Sequence, residues 1–426
     1  MDGKIDSIQQ VAKKSKPKKA KRARNDWRDK WRLDPEKFEP YLDTANVIIS
    51  LQENPRLIGR YAYDEMLRTV VIDDDGTFRR YNDTDTLILQ NRLQLAGLAK
   101  MSKANVRDGV EKVARDFAFH PVRDWLDSLK WDGKPRVFNW LHYYLGAKHG
   151  PYTSKVGEMF LIGMVARIYQ PGCKNDYMMV LEGEQGIFKS KACQVLGGDY
   201  FSDSLPDVTN DKECSVHLRD KWLIEIAELS SLSKSDSSDL KAFITRQHEQ
   251  YRPPYGRDEV HEPRQCTFVG TTNDDTYLRD GTGGRRFWPI QCGTTFDLIA
   301  LAKDRDQLFA EAVHLYRSGA HWWPDRAFEA EFMKPEQSAR RVADAWEVPM
   351  ETFLKGRQET TVYEIAKFGL DIDKPKIGTA DQRRISAILQ FWGWKRGKVN
   401  SNGRQTFVAP NHQSTFDQPE HITEHL

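Results

Sequence analysis

The chain has 426 residues, 39% hydrophobic and 30% charged, with a mean hydropathy of -0.68 and a formal net charge of +2. That balance supports two or three folded domains with solvated surfaces and excludes a wholly disordered chain. No apolar run approaches the ~20 residues of a membrane span, no secretory signal opens the sequence, and the five cysteines show no C-x-x-C spacing, so the expected setting is a reducing cytoplasm with no membrane contact.

Residues 1–32 read as a basic, disordered arm: KKSKPKKAKRAR at 13–24 repels itself and cannot pack. It serves either as a solubilising tail or as a phosphate-contacting segment that gains affinity through counterion release. Residues 33–145 read as a mixed α/β domain. Helices are expected over 46–52, over 85–94 with Asp83 as the cap, and over 106–117; short strands are expected over 60–63 and 69–72. The run HPVRDWLDSLKWDGKPRVFNWL then places two helices around an Asp132-Gly133 turn.

Residues 146–325 carry the chemistry. The apolar run 178–181 suits a buried parallel strand, and Gly183-Glu184-Gln185-Gly186-Ile187-Phe188-Lys189-Ser190 follows at once, with a helix starting at Lys189. Strand, glycine loop and helix in that order are the context a P-loop requires. Glycines let backbone N–H groups approach a polyanion, the helix N-terminus adds partial positive charge, and Lys189 adds an ammonium. Ser190 is the expected hydroxyl ligand of Mg²⁺, with ATP as the polyanion. One position departs from G-x-x-x-x-G-K-[ST]: Phe188 stands where the pattern has glycine, so its side chain must point away from the phosphates.

The run WLIEIAEL at 222–229 is an apolar strand ending in carboxylates. Glu225 reads as the metal-side acid and Glu228 as the one that polarises the attacking water, with the two roles exchangeable. A second buried strand, CTFVG, leads to Thr271-Thr272-Asn273, whose amide suits hydrogen bonding to that water or to the γ-phosphate. In GTGGRRFWP, glycines present Arg285 and Arg286, read either as an arginine finger for a neighbouring subunit or as a surface pair.

GEQGIFKS, WLIEIAEL, KAFITRQHEQYRPPYGR, FVGTTN and YLRDGTGGRRFWPI, in this order, resemble the consecutive motifs of the virulence-associated protein E family, over roughly residues 115 to 325. That family is similar to the superfamily-3 helicases of phages and mobile elements. The resemblance implies an α/β fold with a P-loop AAA+-like ATPase core, a mixed α+β N-terminal domain and a C-terminal winged-helix-like module. It also implies ATP hydrolysis with Mg²⁺ at the subunit junctions of a homo-hexameric ring, coupled to DNA translocation or unwinding in replication. Lys189 and Ser190 would carry nucleotide and metal, Glu225 and Glu228 the acidic motif, Asn273 the sensor, and Arg285 or Arg286 the finger. Two alternatives stay open: a replication initiator or loader that remodels partner proteins without unwinding, and a DNA-binding protein in which Phe188 has removed turnover.

Between the acidic strand and Asn273, residues 246–264 interleave arginines with tyrosines. Arg252, Tyr255 and Arg257 are the candidates there for a single strand, by phosphate pairing and base stacking; the other reading is a loop stiffened by Pro253-Pro254 with its tyrosines packed internally. Residues 326–361 read as a charged helical connection. In 362–412, helices over 362–368 and 379–392 precede a hairpin around Asn402-Gly403, a pattern that suggests a winged helix. Lys395, Arg396, Lys398 and Arg404 would meet duplex DNA there. Residues 413–426 are a tail.

Overall fold

The computed structural model describes residues 26–231, 233–253, 258–278, 284–373 and 376–410. The basic run 13–24, Tyr255, Arg257, the loop residues Gly281, Thr282 and Gly283, and the tail 413–426 lie outside the described residues.

Four strands form the first sheet: β1 (Tyr61–Asp64), β2 (Thr69–Asp74), β3 (Thr77–Arg80) and β4 (Ala118–Phe119), in the order β3-β2-β1-β4. All neighbours are antiparallel except β1 and β4. Val70 and Ile72 pack with Val47 and Leu51 of the helix Thr44–Glu53 and with Val106, Val110 and Val113 of the helix Lys103–Asp116. Two expectations are corrected here. Trp31, assigned to the disordered arm, is buried in this core and donates its indole N–H to Ser50 Oγ at 2.9 Å, after a 3-10 turn over Trp27–Lys30. The cap of the helix Asp83–Ala96 is Asn82, not Asp83: Asn82 accepts from the N–H of Thr84 and Asp85, and the Asp85 carboxylate accepts from the Asn82 N–H.

The central sheet is parallel throughout, built from β5 (Met178–Glu182), β6 (Phe201–Ser202), β7 (Leu223–Ile226), β10 (Thr267–Thr272) and β11 (Phe287–Gln291), in the order β11-β5-β10-β7-β6. Between β7 and β10 the chain makes an antiparallel hairpin, β8 (His248–Tyr251) with β9 (Val260–Pro263). Alternate residues of β5 serve opposite faces. Met179 and Leu181 join a core with the helices Pro151–Tyr169 and Leu298–Arg317, while Met178 and Val180 join another with Phe243 and Ile244. Burial on both faces is why these strands read as continuous apolar runs.

The limits of this core differ from those the sequence suggested. Val122, Leu126, Trp140 and Leu141 belong to it, so it begins well before 146. It also continues past 325: Met333 is buried in the same cluster, and Arg340 grips Glu182 at the tip of β5 through Nε at 3.0 Å and Nη2 at 2.9 Å. The stretch 326–342 is therefore part of the core rather than a connection. Four of the five cysteines are buried and all are free thiols.

The last unit forms around Met350, Leu354, Ile365, Ile385, Leu389, Trp394 and Phe407. A helix Glu347–Leu354, the strand β12 (Glu359–Thr361), a helical stretch 362–369 and the helix Thr379–Phe391 lead into the hairpin of β13 (Lys395–Val399) and β14 (Gln405–Val408), in a sheet ordered β12-β14-β13. Among the described residues, no helix is long and apolar enough to cross a membrane.

Candidate functional site

Parallel strands place their carboxyl ends together, so the tips of β5, β10 and β7 stand side by side. A cleft of about 590 Å³ opens there, lined by Gly186, Phe188, Lys189, Ser190, Glu228 and Asn273 among others. The loop 183–188 contributes Gln185, Gly186 and Phe188 to its wall, and the helix Lys189–Gly197 begins with no side-chain cap, so its first N–H groups have no side-chain acceptor. Gly183 (φ 149°) and Gly186 (φ 88°) take backbone angles that side chains disfavour, and a Cβ on Gly183 would meet Ile187 Cδ1 at 2.7 Å. Ile187 is buried; Glu184 and Gln185 are exposed on the loop.

Lys189 Nζ donates to the carbonyls of Gly183 at 2.7 Å and Glu184 at 2.8 Å, and to Asn273 Oδ1 at 2.9 Å. Burial depresses its pKa from the ordinary lysine value. An ammonium held only by neutral oxygens in a partly desolvated hollow would gain strongly from an arriving polyanion.

Ser190 Oγ donates to Glu225 Oε1 at 2.7 Å, and Thr271 Oγ1 donates to the same oxygen at 2.6 Å. Glu225 is 1% exposed, and its Oε2 is buried without a hydrogen-bond partner. A buried carboxylate oxygen normally finds a donor. An orphan one beside a serine hydroxyl is the donor set of a small hard cation, so the residues present fit Mg²⁺ at Ser190 and Glu225.

Two residues of the cleft hold strained backbones. Phe188 occupies the left-handed region (φ 69°, ψ 32°), the conformation for which the motif carries glycine, and the residue is 65% exposed. Glu228, an exposed acid across the cleft, has φ 55°, and its carbonyl accepts from Ser231. Bulky residues rarely adopt such angles, and instances cluster at functional sites.

Arg285 and Arg286 do not approach this cleft. They precede β11, whose Phe287 pairs with Met178 and whose Gln291 pairs with Glu182. They therefore stand at the amino end of the sheet, roughly 16 Å from the strand tips at about 3.3 Å per residue. Arg285 is exposed; Arg286 is half-buried, with Nε lacking a partner.

In the hairpin region only Arg252 among the candidates is described, and it is exposed. Its neighbours are engaged within the fold. Tyr251 is buried and donates to Glu262 Oε2 at 3.0 Å, Arg246 pairs with Asp211 at 2.6 Å, and Arg264 is wholly buried against Glu249. Lys395, Arg396 and Lys398 are exposed along β13, whereas Arg404 lies over the Tyr363 ring at 3.6 Å. The sequence reading missed Glu182, Tyr277 and Arg340. Glu182 is buried beneath the glycine loop and accepts from Arg340 and from Tyr277 Oη at 2.8 Å.

Fold and cleft define a mixed α/β protein with a parallel sheet whose carboxyl end gathers an uncapped helix start, Lys189 and the buried Glu225 carboxylate. Residues 126–342 match the model of the virulence-associated protein E-like domain, and the chain belongs to that family. Among solved structures it is similar to the apo structure of the NrS-1 C-terminal region (305–718), at 15% identity and a TM-score of 0.43, covering 82% of this chain and 95% of that one. A second form of that apo region aligns at 15% identity and a TM-score of 0.39, covering 82% and 96%. No curated protein matches by sequence.

Proposed function

We propose that this protein is an Mg²⁺-dependent ATPase acting on DNA as a helicase or translocase in the replication of a phage or mobile element, with a P-loop AAA+-like core working in a homo-hexameric ring. The observation that carries the reading is the convergence of Lys189, Ser190, Glu225 and Asn273 on three adjacent strand tips, with a buried carboxylate oxygen left unpartnered. The loop N–H groups and the Lys189 ammonium bind the β- and γ-phosphates, exchanging loop carbonyls for phosphate oxygens. Ser190 and Glu225 would hold Mg²⁺, which would supply positive charge against the phosphate oxygens. Glu228 accepts a proton from the attacking water, and Asn273 orients that water or the γ-phosphate.

The position of Arg285 and Arg286 favours action in trans. An arginine at the amino end of the sheet cannot serve its own cleft, but in a ring it would face a neighbour's. DNA would meet the region of Arg252 and the C-terminal unit, whose order of helix, strand, two helices and hairpin supports a winged-helix reading.

The test is DNA-stimulated ATP hydrolysis by the full chain and by Lys189→Ala. The wild type should turn over with Mg²⁺, and the variant should lose turnover while its melting temperature is kept. Equal rates would end the assignment. Hydrolysis without strand displacement would favour a loader or remodelling ATPase instead.

A further inference from the structure

The helix Thr379–Phe391 has one face committed to packing and one that nothing in the fold uses. Ile385, Ile388 and Leu389 point into the C-terminal core. At ~100° per residue, Thr379, Ala380, Arg383, Ser386, Ala387 and Gln390 share the opposite arc. All are exposed except Ser386, which is half-exposed. No acid lies on that arc; Asp381 faces elsewhere and accepts from the Gly378 N–H at 2.9 Å.

The two adjacent arginines divide sharply. Arg384 is locked, bidentate on Asp344 with Nε at 2.8 Å and Nη2 at 2.6 Å, and it lies over the Trp346 ring. Arg383 is exposed and, among the described residues, has no ion-pair partner; the same holds for Lys395, Arg396 and Lys398 on the strand that follows. The only ion pair in the turn ahead of the helix joins Asp373 to Lys376, among the described residues.

We infer that this outer face reads base edges in the major groove of duplex DNA at a defined sequence, while β13 holds the adjacent phosphates. The inference rests on the DNA-directed reading above and deepens it, from sequence-tolerant contact to recognition of a site. The side chains are the types that discriminate bases: a guanidinium can donate bidentately to guanine, and a glutamine amide can pair with adenine N6 and N7. A helix of this length fits the major groove of B-form DNA, whereas the deep, narrow groove of A-form RNA excludes it.

The experiment selects from a pool of duplexes with a randomised centre, using the full chain without nucleotide. A motif should be enriched. Arg383→Ala and Arg383→Lys should each lose preference at one position of it by about 5- to 150-fold, the lysine because it keeps the charge and loses the fork. A triple Lys395→Ala, Arg396→Ala, Lys398→Ala variant should instead weaken binding to every sequence and reduce the slope of log K against log salt by about 2 to 3. Duplex binding with no enriched motif, an unchanged motif in both Arg383 variants, equal binding of an RNA duplex, or no duplex binding would each overturn the inference. ATP hydrolysis by the same variants separates the two readings. A selected motif in a protein without turnover would sink the motor and spare the recognition helix, and turnover without a motif would do the reverse.

Discussion

Phe188 offers a direct measure of strain at the cleft. A bulky residue in the left-handed region costs about 1–2 kcal/mol, and Phe188 sits there at φ 69°. Packing recovers little of this, since the residue is 65% exposed. Phe188→Gly relieves the strain but adds unfolded-state entropy worth roughly 0.5–1 kcal/mol. The net expectation is a stabilisation between zero and about 1.5 kcal/mol, a rise of at most a few °C in melting temperature. Phe188→Ala keeps the strained backbone and loses the ring, so it should be neutral or slightly worse. Thermal and urea denaturation of the two variants should therefore rank glycine above alanine, with ATP affinity in the glycine variant equal to or better than that of wild type. If Phe188→Gly destabilises by more than about 1 kcal/mol, the ring is making contacts that its exposure in a single chain does not reveal, and the strain argument fails.

Mixing Lys189→Ala with an Arg285→Ala, Arg286→Ala double variant, each inactive alone, should restore partial ATP hydrolysis, because mixed rings contain junctions with both parts intact. A mixture that stays inactive although mixed oligomers form would return the arginines to a structural role. Burial pushes the His120 imidazole down to about 4, below the unfolded value near 6.5, so the unfolded chain takes up the proton first. Stability should therefore fall, by up to about 3 kcal/mol, as pH drops from about 6.5 to 4. His120 Nδ1 accepts from the Arg123 N–H as a helix cap, and His120→Asn, which can still cap, should flatten that window in acid denaturation. Arg340→Met leaves Glu182 buried and unpaired, a change that costs about 3–5 kcal/mol when a buried pair is broken; a loss below about 1 kcal/mol would mean that the Tyr277 hydroxyl suffices.

The cleft was legible in the sequence because its parts are local. A strand, a glycine loop and a helix start are consecutive residues, and each acid or amide ends its own apolar strand, so parallel packing alone brings Lys189, Glu225 and Asn273 together. What escaped was held by distant partners. Arg340 reaches Glu182 across 158 positions, and nothing in the charged run around it marks one arginine as buried. Tyr251 sits among arginines like a stacking residue, yet Glu262 on the facing strand takes its hydroxyl. Caps are decided by one residue's backbone angle, which is why Asn82 rather than Asp83 starts its helix.

The same contrast separates Arg383 from Arg384. Neighbours of identical type lie about 100° apart on a helix, and only the tertiary position of Asp344 and Trp346 shows which one is occupied. A similar division holds at the cleft. The tip of β5 is fixed by the Arg340 clamp, while the strained angles lie on the two lips at Phe188 and Glu228. Under the proposed function, the clamp beneath these strained lips would shape the loop 183–188 before nucleotide arrives, and the backbone strain would be the counterpart of that preorganisation.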